Sequence, residues 1–258
     1  MKRSKSSLAL ALTMLMLAGS LSGCTLVQFD DPADIKQQEE EIEKQQNVTL
    51  PDLDTVLDAE HLVIDEKLTN NEGRTIASYQ ARFPYFKAGD NVALQNINEF
   101  YASEFSHLES DKNRFFELAA EKPTDTVHTS VFDYELLDAG EIYVSVLRSF
   151  EVVDSLGDGG TLYTGEVFSG ATGLRLKFTD VFARDASKAV ETLRTALADW
   201  CGEQKYDAAW LDGLTDEVLC ENFAFDEDIL YIGFDRGTVP GGETLVELDF
   251  GDFEAYLA

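Results

Sequence analysis

The chain has 258 residues, with 49 Asp and Glu against 20 Lys and Arg, three His and a formal charge of −29. That excess of carboxylates excludes nucleic-acid binding, which needs a basic face, and direct adhesion to anionic lipid headgroups. It attracts cationic partners or serves only to keep the surface solvated. With 44% hydrophobic residues, there is material for one large domain or two small ones.

The first residues read as an address. Lys2, Arg3 and Lys5 make a basic start, residues 8–17 form an apolar run too short to span a bilayer, and Leu21-Ser22-Gly23-Cys24 follows. This order is that of a secretory signal peptide over residues 1–23, and it resembles a bacterial lipoprotein signal. The resemblance implies acylation of Cys24 as the new N-terminus and a protein anchored on the outer side of a membrane. Loss of Lys2, Arg3 and Lys5 takes the charge to −29 − 3 = −32. Residues 24–56 read as an acidic, polar tether. Glu39-Glu40-Glu41 sits at its centre and no aromatic follows Phe29, so the segment has too little apolar surface to offset its ordering entropy.

The folded part is expected over residues 57–258, as one unit or as subdomains at 57–125 and 126–258. Residues 61–69 and 75–85 read as strands around the turn Asn70-Asn71-Glu72-Gly73. Ala77, Tyr79, Ala81 and Phe83 alternate with Ser78, Gln80 and Arg82, the period of a half-buried strand. The period then lengthens. Ile97, Phe100, Tyr101, Phe105 and Leu108 predict an amphipathic helix over 92–120, broken near Ser110 and ended by Pro123. Three strands follow. Phe132, Tyr134 and Leu136 share one face; Ile142, Val144, Val146, Phe150 and Val152 share another, with Arg148 interrupting; residues 162–168 form the third. Residues 174–178 make a short strand, and Thr179-Asp180 caps a turn of helix through Phe182. Val190, Leu193, Leu197, Trp200 and Cys201 stripe a helix over 186–201, with a shorter one at 215–220. Strands at 222–225, 229–234 and 243–250 and a short helix at 252–257 close the chain. Strand runs separated by two helices predict an α+β fold, an antiparallel sheet packed against two main helices.

Three segments carry a family resemblance. They are residues 78–86 (SYQARFPYF) with Asn96-Ile97-Asn98, residues 159–182 (GGTLYTGEVFSGATGLRLKFTDVF), and residues 230–257 (LYIGFDRGTVPGGETLVELDFGDFEAYL). Together they resemble the PdaC/RsiV-like extracytoplasmic domain pair, found in some peptidoglycan deacetylases and in a lysozyme-sensing anti-sigma factor. The family's histidine after its glycine pair is replaced by Thr161-Leu162, and its proline–tyrosine segment by residues 234–238. The resemblance therefore implies fold and address, while the family ligand does not carry over. The deacetylases' catalytic domain has no counterpart in this sequence.

Chemistry is sparse. His61, His107 and His128 fit no HExxH or zinc spacing, no serine lies in GxSxG, and Gly157-Asp158-Gly159-Gly160 joins strand to strand without the helix N-terminus of a phosphate site. No catalytic residue, metal or cofactor is expected. Asp226-Glu227-Asp228 is a solvated hairpin tip or a calcium site. Cys201 and Cys220 form an even pair in an oxidising compartment and are expected to bond, the alternative being two buried thiols. The ligand-contact candidates are Asp154, Asp158 and Arg236, in strand-joining loops at 154–160 and 235–243, together with Trp210. The function expected is a membrane-anchored, non-catalytic binding or sensing module of the cell envelope. Its partner would be a cationic protein such as lysozyme, as the family resemblance implies, or a cell-wall fragment. The alternative is a cell-wall-directed enzyme of unrecognised type.

Overall fold

The computed structural model describes residues 50–121, 125–140, 142–153 and 160–258. A single turn of helix, α1 (Leu53–Val56), opens it, capped by Asp52. Leu50, Leu53, Val56 and Leu57 already pack on the core, and Leu57 bridges to Phe86. Residues 50–57 are thus tied to the core. The apolar spacing 50, 53, 56, 57 is helical, and it overrides the polar composition of the stretch before it.

Strands β1 (Val63–Thr69) and β2 (Thr75–Arg82) form an antiparallel hairpin. Its turn is closed by the Asn70 carboxamide oxygen, which accepts from Glu72 N and Arg74 N, and by Gly73 at φ +80, a conformation that glycine adopts without strain. Two helices follow, α2 (Val92–Phe105), capped by Asn91, and α3 (Leu108–Glu121). The break falls at residues 106–107, four residues before the expected one, where the Ser106 hydroxyl donates to Ser103 O and competes with the helical ladder.

The helix pair returns the chain to the same edge of the hairpin, so β3 (His128–Leu137) runs parallel to β2. A crossover connection of this kind is what parallel pairing requires. The expectation of a purely antiparallel sheet is corrected at this one pair. Strands β4 (Tyr143–Val153) and β5 (Gly160–Ser169) add antiparallel, giving the order β1-β2-β3-β4-β5. The β2/β3 pair links the stretch before residue 121 to the stretch after residue 125, and the described residues fall in one compact unit.

The second half supplies the turn α4 (Phe178–Val181), the long helix α5 (Ala186–Gln204), a 3-10 turn at Ala208–Gly213, the turn α6 (Asp216–Leu219) and a second sheet. That sheet is antiparallel in the order β6 (Phe223–Phe225), β7 (Ile229–Gly233), β8 (Leu245–Asp249). The expected terminal helix is two 3-10 turns, Phe250–Asp252 and Glu254–Tyr256.

Side chains sort the elements into layers. Leu94, Ile97 and Tyr101 of α2 meet Tyr79, Ala81, Val144, Val146 and Phe168 on one face of the large sheet. On its other face Leu137 and Leu147 meet Ala224 of the small sheet. The far face of the small sheet, with Phe223, Phe225, Leu230, Ile232 and Val246, packs on Leu193 and Leu197 of α5. The sheets come close at Gly165, where a Cβ would lie 2.2 Å from the Phe223 backbone carbon.

Among the described residues no named strand pairs with the outer edge of β5; Arg175 bridges to Phe168 there, and other groups take the remaining backbone bonds. Asn222 Oδ1 accepts from Gly165 N at 2.6 Å and Asn222 Nδ2 donates to Tyr163 O at 2.9 Å. The Thr244 hydroxyl donates to Thr161 O, and Leu176 N donates to Val167 O. An open edge invites pairing with another chain, and this one is covered.

Candidate functional site

The residue that interrupts the β4 pattern marks the main buried charge. Val144, Val146 and Arg148 lie on the face of β4 that looks toward α2, and register sets Val146 opposite Glu166 of β5. Arg148 reaches along the sheet to Glu166, donating from Nε at 3.0 Å and from Nη2 at 2.5 Å. The Tyr101 hydroxyl donates to Glu166 Oε2 at 2.8 Å from the helix side. Glu166 is 1% exposed, and the Arg148 side chain is 16% exposed. The guanidinium carbon lies 4.9 Å from the Phe83 ring centroid and 5.8 Å from that of Tyr101, within cation–π range. Burial alone would disfavour the charged guanidinium, but the charge and hydrogen bonds of Glu166 outweigh it and lift the Arg148 pKa above its ordinary value. Burial first, then the Glu166 charge, raises Tyr101 well above the ordinary phenol range. The cluster is closed: both carboxylate oxygens are engaged and the cation is sandwiched.

A second buried cation has the same logic. Lys112 on α3 is covered by its neighbours and donates to Glu66 of β1 and to both oxygens of Glu109, one turn earlier. The Tyr79 hydroxyl is buried in the same layer without a hydrogen-bond partner among the described residues. Its ring is packed by Phe115, Phe116 and Phe132.

The expected site residues fall as follows. Cys24, Asp154 and Asp158 lie outside the described residues. Arg236 follows β7 and donates to Gly160 O at 2.8 Å, so the loop of 235–243 sits beside the start of β5. Trp210 is turned inward: its ring packs edge-on against Phe234 at 5.4 Å, and Nε1 donates to Cys201 Sγ at 3.2 Å. Half-buried, it packs on the core and keeps part of its surface open. The expected bridge is corrected, because Cys201 and Cys220 are free thiols. The Cys201 sulfur faces the Trp210 indole inside the core, while half-buried Cys220 ends α6. Burial, then the Asp216 charge, pushes the Cys220 thiol up to about 11.

Asp226 closes the β6–β7 turn instead of forming an open oxygen cage. Its Oδ1 accepts from Asp228 N and Ile229 N, and its Oδ2 accepts from the Tyr231 hydroxyl. Among the described residues no group of three or more His, Cys, Asp or Glu is placed to hold a metal ion, and no helix is long and apolar enough to cross a membrane.

Two open clefts mark the surface. One of about 650 Å³ lies between the segment at 85–89 and α2. The other, about 380 Å³, lies along α5 and is lined by Glu191, Asp199 and Asp252 with Lys188, Thr192 and Tyr256. Lys188 is held by Asp185 at 2.7 Å, which leaves the second cleft acidic.

Two crystal structures share this architecture. A DUF3298 family member from Bacteroides fragilis NCTC 9343 superposes with a TM-score of 0.55 at 14% identity, covering 78% of this chain and 94% of that one. A DUF3298 family protein from Pseudomonas aeruginosa PAO1 gives 0.55 at 14% identity, covering 80% and 96%. At such identity the likeness is one of fold. No protein-family model matches the sequence, and no curated protein matches it either.

Proposed function

We propose that this chain is a lipid-anchored module on the outer side of a cell membrane, which binds or senses a partner without catalysing a reaction. The observation that carries this reading is the division of charge between interior and surface. Inside, Glu166 is closed by Arg148 and Tyr101, and Lys112 by Glu66 and Glu109. A catalytic acid or base must be free to exchange a proton with substrate, and Glu166 is held on both oxygens. Outside stands the excess of carboxylates, on a chain of net charge −29, suited to steering a cationic protein toward it. The lipoprotein-like start ending in Cys24 and the PdaC/RsiV-like segments at 78–86, 159–182 and 230–257 supply the address. A basic protein such as lysozyme is the partner of choice, and a cell-wall fragment the alternative.

Fractionation of producing cells tests the anchor. Membrane-bound protein should begin at Cys24 with the mass of more than one acyl chain, since a single chain holds only reversibly. Cys24→Ala should release the protein or block its processing. Membrane-bound protein that retains Met1 would overturn the reading.

A further inference from the structure

The cleft of about 650 Å³ has walls of opposite charge, and nothing in the binding module described above requires it. One wall is the extended segment bridged to Leu57. Tyr85 and Lys87 alternate there with Phe86, whose ring is buried, so the two share the outer side. The other wall is a stripe of α2 in which Gln95, Glu99 and Ala102 follow at spacings of four and three residues.

The segment is held from three directions. His61 stacks on Tyr85 with centroids 3.7 Å apart. Asn98 accepts from Phe86 N and donates to Phe86 O, both at 2.8 Å. Gln95 Nε2 donates to Gly89 O at 2.7 Å. A wall fixed before binding loses little entropy when a ligand arrives. At Gly89 an added Cβ would meet nothing within 4 Å, so the cleft is open there.

Lys87 and Glu99 are both exposed. Among the described residues neither side chain has an ion-pair or hydrogen-bond partner, and the two do not pair with each other across the cleft. The cleft is open to solvent, so a ligand would lie against its two walls rather than be enclosed. A cationic protein would be poorly served by a wall that presents an ammonium. A ligand with one charge of each sign matches both walls.

We propose that this cleft binds a small zwitterion, an amino acid or short peptide with free ends. Its carboxylate meets Lys87, its amine meets Glu99, and its hydrocarbon lies along Tyr85 and Ala102. This inference stands on the cleft alone and does not depend on the lipid anchor.

The test is calorimetric titration of the full chain with alanyl-alanine, its N-acetyl derivative, its C-terminal amide and N-acetylglucosamine. The free dipeptide should saturate the protein, and each blocked form should bind about tenfold more weakly, the loss of one charge-assisted contact. Lys87→Met should weaken the free dipeptide about tenfold and leave the amide unaffected. Glu99→Gln should do the same for the free and N-acetyl forms, the non-additivity expected of direct partners. Both side chains are exposed, so an unchanged melting temperature verifies the fold. Three results would overturn the proposal: no saturable binding of the free dipeptide at millimolar concentration, equal affinity for all three peptides, or binding of N-acetylglucosamine in place of the peptide.

Discussion

Arg148 and Glu166 show how a charge pair is tolerated between a sheet and a helix. Removing one member leaves the other buried and unpaired, so Glu166→Gln should cost about 3 kcal/mol in urea unfolding. The double variant Arg148→Met, Glu166→Leu should recover most of that loss, because no isolated charge remains. Equal destabilisation by the single and the double variant would refute this assignment. Two buried tyrosines, one in the layer of each polar cluster, set a response to alkali. Tyr101 and Tyr79 are both raised above the ordinary phenol value of 10.0, chiefly by burial. The folded protein keeps these protons where the unfolded chain releases them. Stability is therefore complete below pH 10 and falls as pH rises above it, by about 1.4 kcal/mol per pH unit for each such group. Unfolding midpoints from pH 9 to 11.5 should show the decline, and Tyr101→Phe should flatten it. Cys220, raised to about 11, should react with iodoacetamide at pH 8 about tenfold more slowly than an ordinary thiol near 9, its smaller thiolate fraction being partly offset by the greater nucleophilicity of a more basic thiolate. In denaturant under non-reducing conditions both Cys201 and Cys220 should take the label, and a cross-linked peptide would contradict the free-thiol assignment. Of this residue-scale picture, Arg148 was legible as a break in an apolar alternation. Glu166 was not, because only the β4–β5 register sets it within reach of the cation.

At the scale of elements, alternation and helical period located the strands and both main helices, since burial on one face imprints itself on the sequence. The parallel β2/β3 pair was hidden, because pairing direction depends on where the crossover through α2 and α3 returns the chain. The second sheet was legible as strands but not as a separate layer. Asn222 and Gly165, which join the layers, carry no periodic signal. Asn222 makes its contacts with β5 some sixty residues away in sequence, and its loss exposes an edge. Asn222→Ala should destabilise by about 2 kcal/mol, two partly buried hydrogen bonds to the β5 backbone being left unmade, and light scattering should report association through the uncovered β5 edge. Gly165→Ala is harsher, because the Phe223 backbone cannot yield as a flexible side chain would. It should cost about 3 kcal/mol by forced separation of the sheets. A melting temperature unchanged by either substitution would show that the sheets are not locked at this junction.

For the whole molecule, charge decides more than shape. The three-stranded sheet and α5 complete an architecture shared with DUF3298 structures at 14% identity, and a fold of that kind does not fix a ligand. On the proposed function the excess of carboxylates favours a cationic partner, with a charge of −32 once the proposed signal is removed. Steering by such a field depends on ionic strength through a screening length of about 10 Å at 0.1 M salt. Recognition of a neutral glycan by stacking and hydrogen bonds would be nearly indifferent to salt. The most direct measurement is therefore a titration of the anchored-form domain with lysozyme at low and at physiological salt, with association rates recorded at each. The binding-module reading predicts saturable binding whose on-rate falls steeply as salt rises. No saturable binding at either ionic strength would contradict it.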